Sequence, residues 1–342
     1  MQLLEKQILE FKSWLKPQSE ILITNHQNPD GDAVGSATAL CGVLQKLGYA
    51  AQMLMPNEYA ENLKWMTLSD SVCFYDNDPA YADAQILACD IIIHLDYNSL
   101  KRSGYMQQSL ASSGARKMVI DHHQQPDDFA DILISDTSMS STCEMVYHFL
   151  DALNWTEHLD KNLAEALYTG VATDTGNFRF SSTAPATHQV AAQLLALGVE
   201  SQKVASRVYD SNTPSVIKLL SRALNSMEIL PEYHAAIISL SEKDLEECDY
   251  KLGDTEGFVN YGLSLIGIEL SAFACPRAGA LKLSFRSKTT FDVNTLARKH
   301  FDGGGHRNAA GGNSSLSLAD TIRKIKALLP EYAEELKALA NG

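Results

Sequence analysis

The sequence predicts an α/β protein in two parts, an N-terminal doubly wound, mainly parallel sheet and a smaller C-terminal α/β domain. Three observations lead there. Short apolar runs alternate with helix-like segments through the first half. From Ala186 to Glu228 the pattern is helical, and from Tyr233 it turns strand-rich and ends on a helix. The expected division is a catalytic domain over 1–190, a helical connector over 191–230 and a second domain over 231–342.

The elements follow in order. ILIT (21–24) is a strand, and a helix follows from about Ser36 to Leu47. AQMLM (51–55) is the next strand. DIIIHLD (90–96) and ARKMVIDHH (115–123) are apolar runs that end in acids, the mark of buried parallel strands. Ser141-Thr142-Cys143-Glu144 has the pattern of a capping box opening a helix. NLAEALYTGVATDTG (162–176) is a helix stopped by a glycine turn. HQVAAQLLALG and PSVIKLLSRALNSMEIL are packing helices. HAAIISLS, LSLIGIELSAFA and ALKLSFRS are strands, followed by the glycine-rich FDGGGHRNAAGG (301–312) and the helix LADTIRKIKALL.

Composition narrows the class. The 342 residues are 45% hydrophobic, enough for two cores, and no apolar run reaches membrane-spanning length. MQLLEKQILEFKSWLK is amphipathic and carries acids, unlike a signal or transit peptide. Six cysteines without a CxxC pair read as buried free thiols, and the expected setting is the cytoplasm, away from membranes. The formal charge is −14, of which residues 1–230 carry −12, and lysines and arginines are not clustered. Long duplex DNA is therefore not an expected partner.

In a doubly wound sheet, sites form at the carboxyl ends of the strands. His26, Asp30, Asp32, Asp96, Asp121, His122, His123 and Asp174 all fall at such strand or helix ends. Singly, an Asp after a strand is most often a cap or turn residue. Together, five aspartates and three histidines at one end of a sheet need cations to coexist. Mixed oxygen and imidazole ligands suit Mn²⁺, and also Fe, Co or Zn, better than Mg²⁺ or Ca²⁺. Eight candidates suit two ions about 3.5–4 Å apart, bridged by a carboxylate and a water that becomes hydroxide. His94 shares a strand with Asp96 and is expected to be packing or an outer partner of the metal ligands. Phe178 and Arg179 read equally as substrate contacts or as closure of the helix end.

NPDGDAVGS, LD, DHH and TDTGNF, in that order, resemble the DHH phosphoesterase superfamily. SFRS and GGGHRNAAGG resemble the DHH-associated C-terminal domain, and the resemblance spans roughly Ile21 to Gly312. The group it is most similar to combines oligoribonuclease and 3′-phosphoadenosine 5′-phosphate phosphatase activity. The resemblance implies one metal on His26, Asp30 and Asp96, and a second on Asp32, Asp96, His122 and Asp174, with Asp96 bridging. It implies that His123 faces the substrate phosphate and that Asp121 orients a ligand imidazole. Gly31 and Gly35 would let the turn and helix start approach closely. The loop QQPDDFAD after the DHH triplet and the Cys275-Pro276 pair, expected in loops, depart from the family's pattern and bear on substrate preference.

In the second domain, Gly303, Gly304 and Gly305 offer bare N–H groups for an anion-binding nest, and a helix start at Ala-Ala-Gly-Gly would add positive charge. His306 can donate to a phosphate and Arg286 can grip one bidentately. The family reading agrees that this domain holds the nucleotide end, with substrate in the cleft between the domains.

The expected function is a Mn²⁺-dependent phosphoesterase with two ions per active site, other divalent ions also being able to serve. It would cut very short oligonucleotides to nucleoside 5′-monophosphates and dephosphorylate 3′-phosphoadenosine 5′-phosphate, by attack of a hydroxide bridging the ions. Its partners would be short oligonucleotides and small phosphorylated nucleotides, with a homodimer left open. The alternative is hydrolysis of cyclic dinucleotides or pApA. The reading from another class is a nucleotide-binding regulatory module without catalysis, which predicts gaps among the metal ligands.

Overall fold

The computed structural model describes residues 5–277 and 279–340, which divide into two compact units between Ser211 and Asn212. The first unit runs α1 (Glu5–Trp14), β1 (Glu20–Thr24), α2 (Gly31–Lys46), β2 (Ala50–Met55), β3 (Cys73–Phe74), α3 (Pro79–Ala88), β4 (Ile91–Leu95), α4 (Gln107–Ser112), β5 (Arg116–Asp121), β6 (Ile132–Ser135), α5 (Thr142–Ala152), α6 (Lys161–Asp174), α7 (Pro185–Ala196) and α8 (Ser201–Tyr209). Its six strands pair in the order β3-β2-β1-β4-β5-β6, all parallel.

Alternation along the strands explains the two covered faces. Ile21, Ile23, Ile91, Ile93 and Leu95 pack with α1, α2, α5 and α6 in one core. Leu22, Leu54 and Ile92 pack with Ala82, Ile86 and Leu110 of α3 and α4 in another. Buried on both sides, these strands have no polar face, which is why they read as continuous apolar runs. The strand order reverses between β1 and β4, so their carboxyl ends frame an opening in which residues from both can meet.

The helix after β1 starts at Gly31, not near Ser36. Asp30 Oδ1 accepts the N–H groups of Asp32 (3.0 Å) and Ala33 (3.1 Å), so the cap lies inside the acidic motif. A Cβ at Gly31 would lie 2.5 Å from Thr173 Oγ1, and one at Gly35 would lie 2.4 Å from the Ala166 carbonyl. Both glycines are thus needed where α2 crosses α6. Glu144 completes only half of the expected capping box. Ser141 does cap the Glu144 N–H at 3.0 Å, but the Glu144 carboxylate turns to Ser140.

The second unit contains α9 (Pro214–Asn225), β7 (Glu228–Leu230), β8 (Ala235–Ser239), α10 (Glu242–Glu247), α11 (Asn260–Leu263), β9 (Leu270–Arg277), β10 (Ala280–Ser287), α12 (Val293–His300), β11 (Gly304–Gly305), β12 (Ala309–Ser314) and α13 (Leu318–Ala340). Its sheet has the order β11-β12-β10-β9-β8-β7, antiparallel except for β8 with β9. The helices of residues 191–230 are therefore shared out, α7 and α8 to the first unit and α9 to the second.

Three expectations change here. LSLIGIELSAFA is not one strand. Leu263 ends a short helix, Gly267 takes φ +77° and Ile266 is wholly exposed before β9 begins at Leu270. Cys275 and Pro276 lie in β9 rather than a loop. β8 pairs with β9 only as far as Ala274, so Pro276 needs no N–H on that side. The last helix runs through Pro330 to Ala340, carried past the proline by burial of Leu329 and Leu336 in the unit's core.

Candidate metal centre and glycine hairpin

The carboxyl ends of β1, β4 and β5, with the ends of α2 and α6, bring the candidate residues of the first unit together. Three sets form, His26 with Asp30 and Asp96, Asp32 with His122 and Asp174, and Asp96 with Asp121 and His123. In each set the ligand atoms lie within 4.8 Å of one another. Asp96 joins the sets. His26 Nε2 is 3.3 Å from its Oδ2, and His122 Nε2 is 3.6 Å from its Oδ1. His122 Nε2 is also 3.3 Å from Asp174 and 3.7 Å from Asp32.

Each imidazole is oriented from behind. His26 Nδ1 donates to the Gln27 carbonyl (2.9 Å) and His122 Nδ1 to the Met139 carbonyl (3.2 Å). A carbonyl only accepts, so these bonds fix each ring with Nε2 turned toward the acids. Asp30 divides its work, one oxygen capping α2 and the other 3.9 Å from His26 Nε2. Asp96 adopts φ +64°, a left-handed backbone that costs a non-glycine residue roughly 1–3 kcal/mol. Its N–H still donates to the Ile120 carbonyl at 3.1 Å, so the β4–β5 pairing holds the strained residue in place.

Charge is unevenly shared in this cluster. Burial pushes Asp96 up, but hydrogen bonds from His122 and His26 more than offset it and hold the carboxylate well below its usual range. Asp32 is pushed well above its usual range by burial, then by Asp96 and Asp174. Burial pulls His122 down, but Asp96, Asp174 and Asp32 reverse that and raise it well above the ordinary imidazole range. Burial also pulls His26 down, but Asp96 and Asp30 outweigh it and raise it, so these two imidazoles stand in for positive charge the acids require. An ion with bonds of about 2.1 Å places neighbouring ligands roughly 3 Å apart, and the Nε2–oxygen spacings here are close to that. The donor set fits divalent ions.

Asp121 orients His123, an imidazole that lies among the candidate metal-ligating groups beside Asp96. Its Oδ1 accepts from His123 Nδ1 at 2.7 Å and its Oδ2 from the His123 N–H at 2.9 Å. Burial, then the nearby Arg102, pull His123 well below the ordinary range, so the ring is neutral. His94 is packing. Its Nδ1 meets Tyr97 Oη at 2.5 Å, its ring lies against Phe129, and burial lowers it to about 3. Phe178 and Arg179 close the turn after α6. The Phe178 N–H donates to Thr175 Oγ1, Arg179 Nε donates to the Gly176 carbonyl, and the Phe178 ring stacks on His188.

Three contributions, from four residues, were not visible in the sequence. Thr142 and Cys143 meet Asp32 and Asp96, Asn98 Nδ2 donates to the His123 carbonyl at 2.9 Å, and Arg102 lends charge beside His26 and His123. The Ser-Ser-Thr run before a helix was the available signal for the first. Nothing local marks the other two.

In the second unit, Ala309–Ser314 is a strand and not a helix start, so no helix dipole acts at the glycines. β11 and β12 form a hairpin whose tip is closed by the His306 N–H on the Ala309 carbonyl at 2.7 Å. The Gly305 N–H is held by Asn294 Oδ1 at 2.9 Å, and Asn308 ties the tip to Ser287 and Thr289. A Cβ at Gly303 would lie 2.0 Å from the Gly311 carbonyl, and one at Gly305 2.4 Å from that of Ala309. Packing alone requires those two glycines. Gly304 would meet nothing closer than 3.5 Å, so a side chain there has room. Arg286 pairs with Ala309 across the sheet, and His306 sits at the tip.

Comparison with known proteins agrees with this architecture. Residues 20–171 match the model of the DHH family, N-terminal domain, and residues 235–336 match the DHHA1 domain. The bifunctional oligoribonuclease and PAP phosphatase NrnA of Bacillus subtilis is 28% identical over 92% of this chain and 95% of its own. The cyclic-di-AMP phosphodiesterase GdpP of the same organism is 25% identical over 94% of this chain, which spans about half of that relative (49%). The crystal structure of an exopolyphosphatase-related protein from Bacteroides fragilis superposes with a TM-score of 0.93 at 34% identity, covering 98% of this chain and 99% of that one.

Proposed function

This chain belongs to the DHH family and is a phosphoesterase, and on that premise we propose that it acts on very short nucleic acids and small nucleotides. It hydrolyses short oligonucleotides to nucleoside 5′-monophosphates and removes the 3′-phosphate of 3′-phosphoadenosine 5′-phosphate. One observation carries the reading: Asp96 turns one oxygen to His26 and the other to His122, the disposition of a bridging carboxylate. His26, Asp30 and Asp96 would hold one divalent ion, and Asp32, Asp96, His122 and Asp174 a second, with Mn²⁺ favoured by the mixed donors. When bound, such a pair would acidify water near neutral pH and offset charge on the phosphate.

The protein's own groups do the rest. His123, neutral and fixed by Asp121, offers Nε2 to take or return a proton beside the phosphate. Arg286 and His306 would hold the nucleotide's phosphate beside Gly304, the one of the three glycines with room around it, since the Gly305 N–H is already taken by Asn294. Five of the six free thiols are buried and Cys73 is half-buried, against the expectation of six buried ones, and free thiols suit the reducing cytoplasm, where small nucleotides are the substrate pool. No helix among the described residues is long and apolar enough to cross a membrane.

Likeness to NrnA along nearly its whole length supports short RNA and PAP, and likeness to GdpP supports the rival, a cyclic dinucleotide or pApA. A panel of pAp, two- to five-residue RNA, pApA and cyclic di-AMP at fixed Mn²⁺, read by product mass, separates them. We expect pAp and short RNA to be turned over fastest. Efficient cutting of pApA alone would transfer the assignment to the rival. A purely regulatory module has no gap in the ligand set to support it.

Metal binding should release protons. His122 is raised, and Asp32 is pushed up as an acid, so an ion must displace a proton from each. Affinity therefore rises with pH, across a window that opens above the ordinary imidazole range. Titration calorimetry of Mn²⁺ in buffers of different ionisation enthalpy should show about one to two protons released per site pair at neutral pH. Release of none would remove His122 from the ligand set.

A further inference from the structure

We propose that Thr142 is a positioning residue that holds both central carboxylates at once, Asp96 through its hydroxyl and Asp32 through its backbone N–H. The inference rests on the reading of those two aspartates as metal ligands. Thr142 Oγ1 donates to Asp96 Oδ1 at 3.0 Å. The Thr142 N–H donates to Asp32 Oδ2 at 2.6 Å, and the next N–H, of Cys143, to Asp32 Oδ1 at 2.8 Å. The first turn of α5 therefore grips Asp32 by both oxygens and Asp96 by one, and all the groups are buried.

That turn is itself anchored. Glu144, 1% exposed, accepts on one oxygen from the Ser140 N–H (3.1 Å), Ser140 Oγ (2.5 Å) and Thr187 Oγ1 of α7 (3.0 Å). A buried carboxylate with three donors on one oxygen, and His148 Nε2 3.9 Å from the other, fixes geometry at a cost, which is justified where a misplaced ligand would matter. Asp96 needs such a holder. Its backbone is strained, and each of its oxygens must face a different imidazole. Without the hydroxyl the carboxylate is freer to rotate about its last bond, and one oxygen leaves its direction.

Thr142→Val keeps the shape and the N–H on Asp32 and removes only the hydroxyl arm. Thr142→Ser restores the hydroxyl, and Thr142→Ala carries the test if valine disturbs the turn. Mn²⁺ affinity of the full chain is read by titration calorimetry, beside the metal-free melting temperature. The expected result is a 10- to 100-fold weaker affinity in the valine variant, on the scale of lost outer partners of ligands (about 10–100-fold). Serine should recover it to within about threefold at an unchanged metal-free melt. A valine variant that binds as tightly as wild type, or a serine variant as weak as valine, overturns the proposal while leaving the ligand set standing. Wild type that binds no Mn²⁺ overturns both.

Discussion

Asp96→Asn should lower turnover on the order of 10⁴-fold at any Mn²⁺ concentration, since Asp96 is the residue both ligand sets share. Asparagine has nearly the same volume but offers one carbonyl oxygen and no charge. It can face His26 or His122 with an acceptor, but not both. Mn²⁺ stoichiometry, read by native mass spectrometry, should fall from two to at most one. The metal-free fold should survive. The variant loses attraction to His26 and His122, but it also loses repulsion toward Asp32, for which Asp96 is the foremost charged neighbour. In wild type the depressed Asp96 contributes stability above the ordinary carboxylate range, lost as pH falls through its own lower value. The variant should lack that acid-side loss. Two bound ions and near-normal turnover in Asp96→Asn would end the two-metal reading.

Asp121→Asn tests a different part of the chemistry. Asp121 spends both oxygens on His123, one on the ring and one on the backbone N–H. An amide has a single oxygen, and the backbone N–H, which only donates, requires it. The NH₂ group then faces Nδ1 and drives the ring proton to Nε2. The ring that could accept a proton at Nε2 becomes a donor there, as in other sites where the orienting acid of a histidine is replaced. We expect kcat to fall about 10²- to 10⁴-fold, with KM and Mn²⁺ affinity changed little. A kcat within about threefold of wild type would remove His123 from proton transfer.

The glycine segment shows where local reading failed. Three glycines before a histidine suit an anion nest and a hairpin equally. The antiparallel pairing of Ala309–Ser314 with β10, which involves residues 23 to 33 positions away, decided against the helix start and for a hairpin. Thr142 was legible only as a neighbour of a cap, because its partners Asp32 and Asp96 lie 110 and 46 residues away in the chain. The start of α2 failed for the opposite reason. Asp30 was read for its charge, and its capping of Asp32 and Ala33 places the helix start within the motif itself.

The sequence by itself determined the residue types at the ends of β1, β4, β5 and α6, and with them the need for cations. Apolar runs alternating with helices point to a parallel sheet covered on both faces, and such a sheet gathers the residues that follow its strands. Tertiary structure alone decided how the charges share that space. Which oxygen of Asp96 faces which imidazole, which imidazole carries the proton, and which helix turn grips Asp32 all follow from contacts between residues far apart in the chain. Hydrogen-bond direction and desolvation arise only when those residues meet.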